Sequence, residues 1–143
     1  VGRTLDWWVE KRTLPTGEVY GYTSYTNFTD TNPSILISAW DFVEATGDKK
    51  WLAARIEKLE HLAAFMMSRD VDHDGLIEAV QSGNAYTLKV PARSCSGHDA
   101  VNCGHKDAYS NELAYRAYRC LADLERQLGR AEQQTLYTKQ ADD

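Results

Sequence analysis

No stretch of this sequence approaches the roughly 18 consecutive apolar residues of a membrane-spanning helix, which excludes a helical membrane span. Basic residues are outnumbered, 16 against 21 acidic ones, and form no run. The net charge of -5 leaves a nucleic-acid role without the cationic stripe it needs. Proline is scarce, with three residues, and no β-rich block competes with the helical periodicity. Arg93 stands alone in its loop, so the loops lack the arginine cluster of a phosphate pocket. No secretory leader pattern opens the chain, which begins with Val rather than Met. The expectation is a trimmed chain or a piece of a longer one. Cysteines number three, an odd count. Cys120 lies near an apolar helix face and is expected to be buried. Cys95 and Cys103 flank a loop and either pair locally or stay reduced. The compartment stays open, with a cytoplasmic one slightly favoured.

What is present is ordinary for one globular domain of 143 residues: 43% apolar and 26% charged. Trp7 and Trp8 sit in a segment that ends a helix, either as core or as a sugar-stacking platform. Residues 13–33 form a loop punctuated by Pro15, Gly17, Gly21 and Pro33. A helix is expected from about Ser34, with Ile35, Leu36, Ala39, Phe42 and Val43 on its apolar face. Gly47 suits a left-handed cap, and Asp48 can cap the helix that follows. That helix carries Leu52, Ile56, Leu59, Ala63 and Met66 at helical spacing. After a long loop, Leu113, Ala117, Leu121, Leu124 and Leu128 mark a third helix. Gly129 repeats the turn, and a last helix runs from Ala131. Gly47 and Gly129 are 82 positions apart. This reads as two copies of one αα-hairpin, all-α, with the long loops at one end.

Residues 69–106 carry most of the ionisable chemistry. Asp70, Asp72, Asp74 and Gly75 match the front half of an EF-hand loop, but its twelfth position is Gln81 rather than glutamate. A calcium site and a helix-terminating turn capped by the aspartates are the two readings. Cys95, His98, Cys103 and His105 offer four soft ligands for zinc, with an unusual one-residue gap at the end. A cofactor is not required by either pattern, and the expectation is none.

Taken in order, several stretches resemble the six-hairpin glycosidases. They are Thr31-Asn32-Pro33 and Thr46-Gly47-Asp48-Lys49-Lys50-Trp51-Leu52, then Asp72-His73-Asp74-Gly75-Leu76-Ile77-Glu78 and Ser82-Gly83-Asn84. Gly104-His105-Lys106-Asp107-Ala108-Tyr109 and the helix to Gly129 complete the set. The resemblance covers roughly residues 20–140. It implies an (α/α)6 toroid, in which inner helices alternate with outer ones and the loops entering the inner helices build the active site. About two of the six hairpins are here. The chain is therefore expected to be a partial domain, residues 1–143, or to self-associate as a homo-oligomer that covers exposed apolar faces.

The activity so implied is hydrolysis of an oligo- or polysaccharide by two carboxylates. Asp99 is the first candidate for the acid and Glu78 the second, with Asp30 and Asp107 also in the loops. Asp107 equally suits a helix start whatever the function. Tyr25, Tyr109, Asn84, Asn102, Asn111, Lys106 and Asp107 are candidates for binding the sugar. Tyr20, Tyr22 and Tyr86 offer further aromatic faces. The alternatives are a non-catalytic helical module with a metal- or partner-binding loop, or a toroid enzyme of another reaction type.

Overall fold

The computed structural model describes residues 2–20, 28–78 and 105–142. The described residues form five α-helices: α1 (Gly2–Lys11), α2 (Thr31–Thr46), α3 (Lys49–Met67), α4 (Ala108–Gln127) and α5 (Ala131–Asp142). They contain no strand, only isolated bridges such as Thr13 with Val19. The fold is all-α.

The turns form as their residues dictate. Gly47 takes φ 65° and its N–H donates to Val43 O at 2.7 Å, closing α2. Asp48 Oδ1 then accepts from Trp51 N–H at 2.9 Å, satisfying a free donor at the start of α3. Gly129, at φ 74°, makes the equivalent turn between α4 and α5. Helix α2 begins at Thr31, three residues before the sequence signal placed it. Pro33 falls inside the first turn, where a missing N–H removes no helical bond.

Packing follows the apolar stripes. On α3, Leu52, Ile56, Leu59, Ala63 and Met66 are all buried. On α2, Ile35, Leu36, Ala39 and Val43 are buried, while Phe42 stays half-buried and meets Trp51 edge-on at 5.0 Å. Ala117, Leu121 and Leu124 of α4 are buried, and Leu113 and Leu128 are half-buried at its ends. Ala114, Tyr118 and Ala122 widen the buried surface of α4, because α2, α3 and α5 all pack on it. Each fully buried leucine contributes about 1.5–3 kcal/mol. The Cys120 thiol is buried, and burial raises its pKa. Trp8 packs against the core, whereas Trp7 is half exposed, with the Arg12 guanidinium 5.3 Å from its ring centre.

Cross-helix bonds give the directions. Trp40 Nε1 donates to Asp123 at 3.1 Å and Gln127 Nε2 to Glu44 at 2.6 Å, both across 83 positions, so α2 and α4 run parallel. Asp6 bonds Trp51 and Arg55 of α3, and Glu10 pairs with Lys58, so α1 and α3 run parallel as well. Asn32 at the start of α2 reaches Leu62 near the end of α3, so that hairpin is antiparallel. The result is a row of α2 and α4 backed by α1, α3 and α5. The loops entering α2 and α4 lie at one end, and the Gly47 and Gly129 turns lie at the other. The exposed large apolar residues among those described are Trp7, Val71, Leu76, Tyr109, Tyr115 and Leu136. They are spread over α1, a loop, α4 and α5 and form no stripe on one helix.

Two glycines separate conformational strain from steric conflict. A Cβ on Gly47 meets nothing within 4 Å, whereas one on Gly17, at φ 86°, lies 2.3 Å from His61 O. Gly47→Ala is expected to destabilise by about 1–2 kcal/mol in urea unfolding, the left-handed penalty alone. Gly17→Ala is expected to lose clearly more, since backbone has to move. Equal losses would contradict this assignment.

Candidate functional site

The end where α2 and α4 begin is built from two loops, and both are pinned in the same way. Before α2, the chain folds back through the Thr13–Val19 bridge, with Gly17 N–H donating to Leu14 O at 2.9 Å. Asn32, in the first turn of α2 and 2% exposed, holds this loop. Its Oδ1 accepts from Val19 N–H at 3.0 Å, and its Nδ2 donates to Gly17 O and Leu62 O at 2.8 and 3.1 Å. Before α4, Asn111 does the equivalent. Its Oδ1 accepts from Ile77 N–H at 2.8 Å, and its Nδ2 donates to Ile77 O and Asp107 O, both at 3.0 Å. Val19 and Ile77 are both buried, so each clip plants an apolar residue beneath its loop. Glu18 precedes Val19, and Glu78 follows Ile77. A small cleft of about 20 Å³ lies between the loops, with Glu18, Asn32, Phe65, Arg69 and Ile77 in its walls.

The aspartate loop closes on itself as a turn capped by its own carboxylates. Asp70 accepts from the N–H groups of Asp74 and Gly75, both at 3.1 Å, and Asp74 accepts from Leu76 N–H. His73 and Gly75 sit at φ 61° and 88°. Oxygens of Asp70, Asp72 and Asp74 lie within 4.8 Å of one another. The charge they gather is met from within the chain. Lys106 Nζ donates to both Asp72 oxygens, at 2.7 and 2.6 Å, and to Asp74 Oδ2 at 2.5 Å. These hydrogen bonds raise the lysine pKa and lower that of Asp74. A lowered carboxylate and a raised ammonium keep the clamp intact between their ordinary values, 3.8 and 10.5.

Glu78 has a largely covered side chain, 16% exposed. Its Oε1 stands 3.8 Å from Lys106 Nζ and 3.8 Å from Nε2 of the exposed His105, which takes φ 60°. Arg69 holds the Glu78 backbone carbonyl through Nη2 and Nε at 3.0 and 3.3 Å. Asp30, at the start of α2, accepts from Tyr109 OH at 3.4 Å, and the Tyr109 ring is half exposed. Asp30 and Glu78 thus both reach the start of α4. The geometry offers a carboxylate beside a lysine ammonium and a histidine ring, just ahead of the helix turn that carries the Tyr109 ring.

The remaining candidates divide clearly. Asp107 caps α4, accepting from Ser110 N–H at 2.8 Å, while its Oδ2 is buried without a partner. Both ends of the Asn111 carboxamide are engaged by backbone, which makes it a loop clip. Lys106 is held by the aspartates. Asp99, Tyr25, Asn84, Asn102, Tyr22, Tyr86, Gln81, Cys95, His98 and Cys103 lie outside the described residues, as does the fourfold zinc set apart from His105. The sequence did not mark Glu18 or Arg69, and it marked Asn32 only within Thr31-Asn32-Pro33. Their signal was available only as polar residues next to buried apolar ones.

Asn111→Ala leaves Ile77 N–H and O without partners and is expected to destabilise by about 1–3 kcal/mol. Hydrogen exchange at Ile77 should speed up, and an unchanged rate would refute the clip. Lys106→Met leaves the aspartates without their cation. Terbium luminescence should rise on the variant and stay near background on the parent chain; equal signals would contradict the clamp. No protein-family model and no curated protein matches this chain.

Proposed function

We propose that the chain is part of an α/α-toroid carbohydrate-active enzyme, a glycoside hydrolase acting on an oligo- or polysaccharide. The observation that supports this reading best is the parallel pairing of α2 with α4 at a constant offset, with both entering loops at one end. Such a unit repeats by adding hairpins, and the loop end of each new hairpin extends one continuous rim. On that rim Glu78, Asp30 and the Tyr109 ring gather at the start of α4. A sugar ring presents an apolar face to an aromatic ring and hydroxyls to carboxylates, which is the chemistry this turn offers.

In this reading Asp99 is the first candidate for the general acid and Glu78 the second, the base comes from a later hairpin, and Tyr109 and Tyr25 stack on the glycan. Asp107 and Asn111 support the site from beneath. Lys106 fixes the loop that carries Glu78 and takes the charge that a calcium ion otherwise meets, which weighs against the calcium-binding module. The ring closes with further hairpins, from the rest of a longer chain or from further copies of this one. Hydrolysis places its two carboxylates on opposite sides of the scissile bond. Two hairpins span only part of the rim, so the chain alone is expected to bind glycan and turn it over little or not at all.

Oligosaccharide binding measured by calorimetry tests the proposal. Tyr109→Ala is expected to weaken binding by roughly threefold to tenfold, the worth of one aromatic contact. Glu78→Gln is expected to leave the fold intact and alter affinity. No binding to any neutral or acidic oligosaccharide at millimolar concentration, or binding indifferent to both substitutions, would overturn it.

A further inference from the structure

At the opposite side of α4 from the loop end, a carboxyl group is buried in the core. Glu125 is 0% exposed, and neither side-chain oxygen has a hydrogen-bond partner. Its neighbours come from each element around the α4–α5 turn. From α3 comes Glu60, which takes two hydrogen bonds from Arg130 Nη2 at 3.0 and 3.2 Å. Arg130, at the start of α5, places Nε 3.4 Å from Glu125 Oε2 without hydrogen-bond geometry. From α5 comes Tyr137, 4% exposed, which feels both glutamates. On α4 itself the Tyr118 hydroxyl is buried without a partner and is perturbed by Tyr137 and Asp70. On the α2 flank, Glu44 is engaged by Gln127, and Asp123 by Trp40 and Arg126.

One guanidinium therefore faces two carboxyl groups, and its hydrogen bonds go to the more exposed one. A second buried negative charge has no donor. A proton on Glu125 removes that charge and turns one of its oxygens into a donor towards Glu60. The same residues hold the turn at Gly129: Arg130 N–H donates to Glu125 O at 3.0 Å. Charge on Glu125 thus acts directly on the junction that sets α5 against α4.

We propose that Glu60, Glu125 and Arg130 form a pH-operated clasp on the α4–α5 hairpin. With Glu125 protonated the clasp is closed and α5 stays packed; loss of the proton loosens α5 and exposes its side of α4. Burial first, and Glu60 next, push the Glu125 pKa up to about 7 from an ordinary 4.5. The packed state binds the proton more tightly than the released state, so its advantage falls as pH rises from 4.5 to 7 and levels off above.

Hydrogen exchange on α5 amides, read as protection factors at pH 6 and pH 8, tests this. With released and packed values of 4.5 and about 7, protection is expected to fall roughly tenfold between the two. Glu125→Gln should flatten that dependence and keep α5 protected at both pH values. Glu60→Gln should move the midpoint to lower pH. Equal protection at pH 6 and 8 in the parent chain, or an unchanged tenfold fall in Glu125→Gln, would overturn the clasp. Carbon-13 titration of the Glu125 carboxyl in the parent chain decides the matter if the variant does not fold. A midpoint near 7 supports the proposal, and one near 4.5 contradicts it.

Discussion

A side-chain carboxamide can take a backbone N–H and give to a backbone C=O at once, which lets one residue stand in for a strand of sheet. Two asparagines do this here, one in the first turn of α2 and one in that of α4. Without them the loops before these helices would carry buried backbone groups with no partner. With them, a buried Val19 and a buried Ile77 sit under the two loops. The position of Glu18, Glu78 and the aspartate turn follows from those anchors. The loop end is therefore fixed by the helix starts, and the helix starts are fixed by the packing of α2 and α4 on α3.

Charge is handled differently at the two ends of α4. At its beginning, three aspartates gather and Lys106, two residues before the helix, answers them, in contact with solvent. Around its last turn, two glutamates share one arginine, and one glutamate is sealed from water. The first arrangement is satisfied at neutral pH, and the second is one donor short. That contrast is why the first reads as a structural clamp and the second as a point of stored response.

The helices were legible in the sequence because their apolar residues repeat every three or four positions and Gly47 and Gly129 stop them. The buried stripe of α3 is the one its spacing gives. The start of α2 was displaced because Pro33 looks like a boundary yet fits a first turn. Glu125 was illegible: it occupies the apolar face of α4 one position after Leu124, and a pattern of leucines treats it as an interruption. Asn111 was a candidate for binding sugar, and a polar residue near a loop carries no mark of what it bonds. Only the three-dimensional neighbour, Ile77, which is 34 positions away, makes it a clip. The partners of Lys106 were likewise illegible, since the sequence does not bring it to Asp72 and Asp74 across their loop.

The central claim is that function sits where α2 and α4 begin. Amide chemical-shift mapping during titration with an oligosaccharide tests it most directly. The account predicts shifts concentrated at residues 28–31, 70–78 and 105–111, with the turns at Gly47 and Gly129 silent. Shifts centred on those glycine turns, or none at saturating sugar, would contradict it.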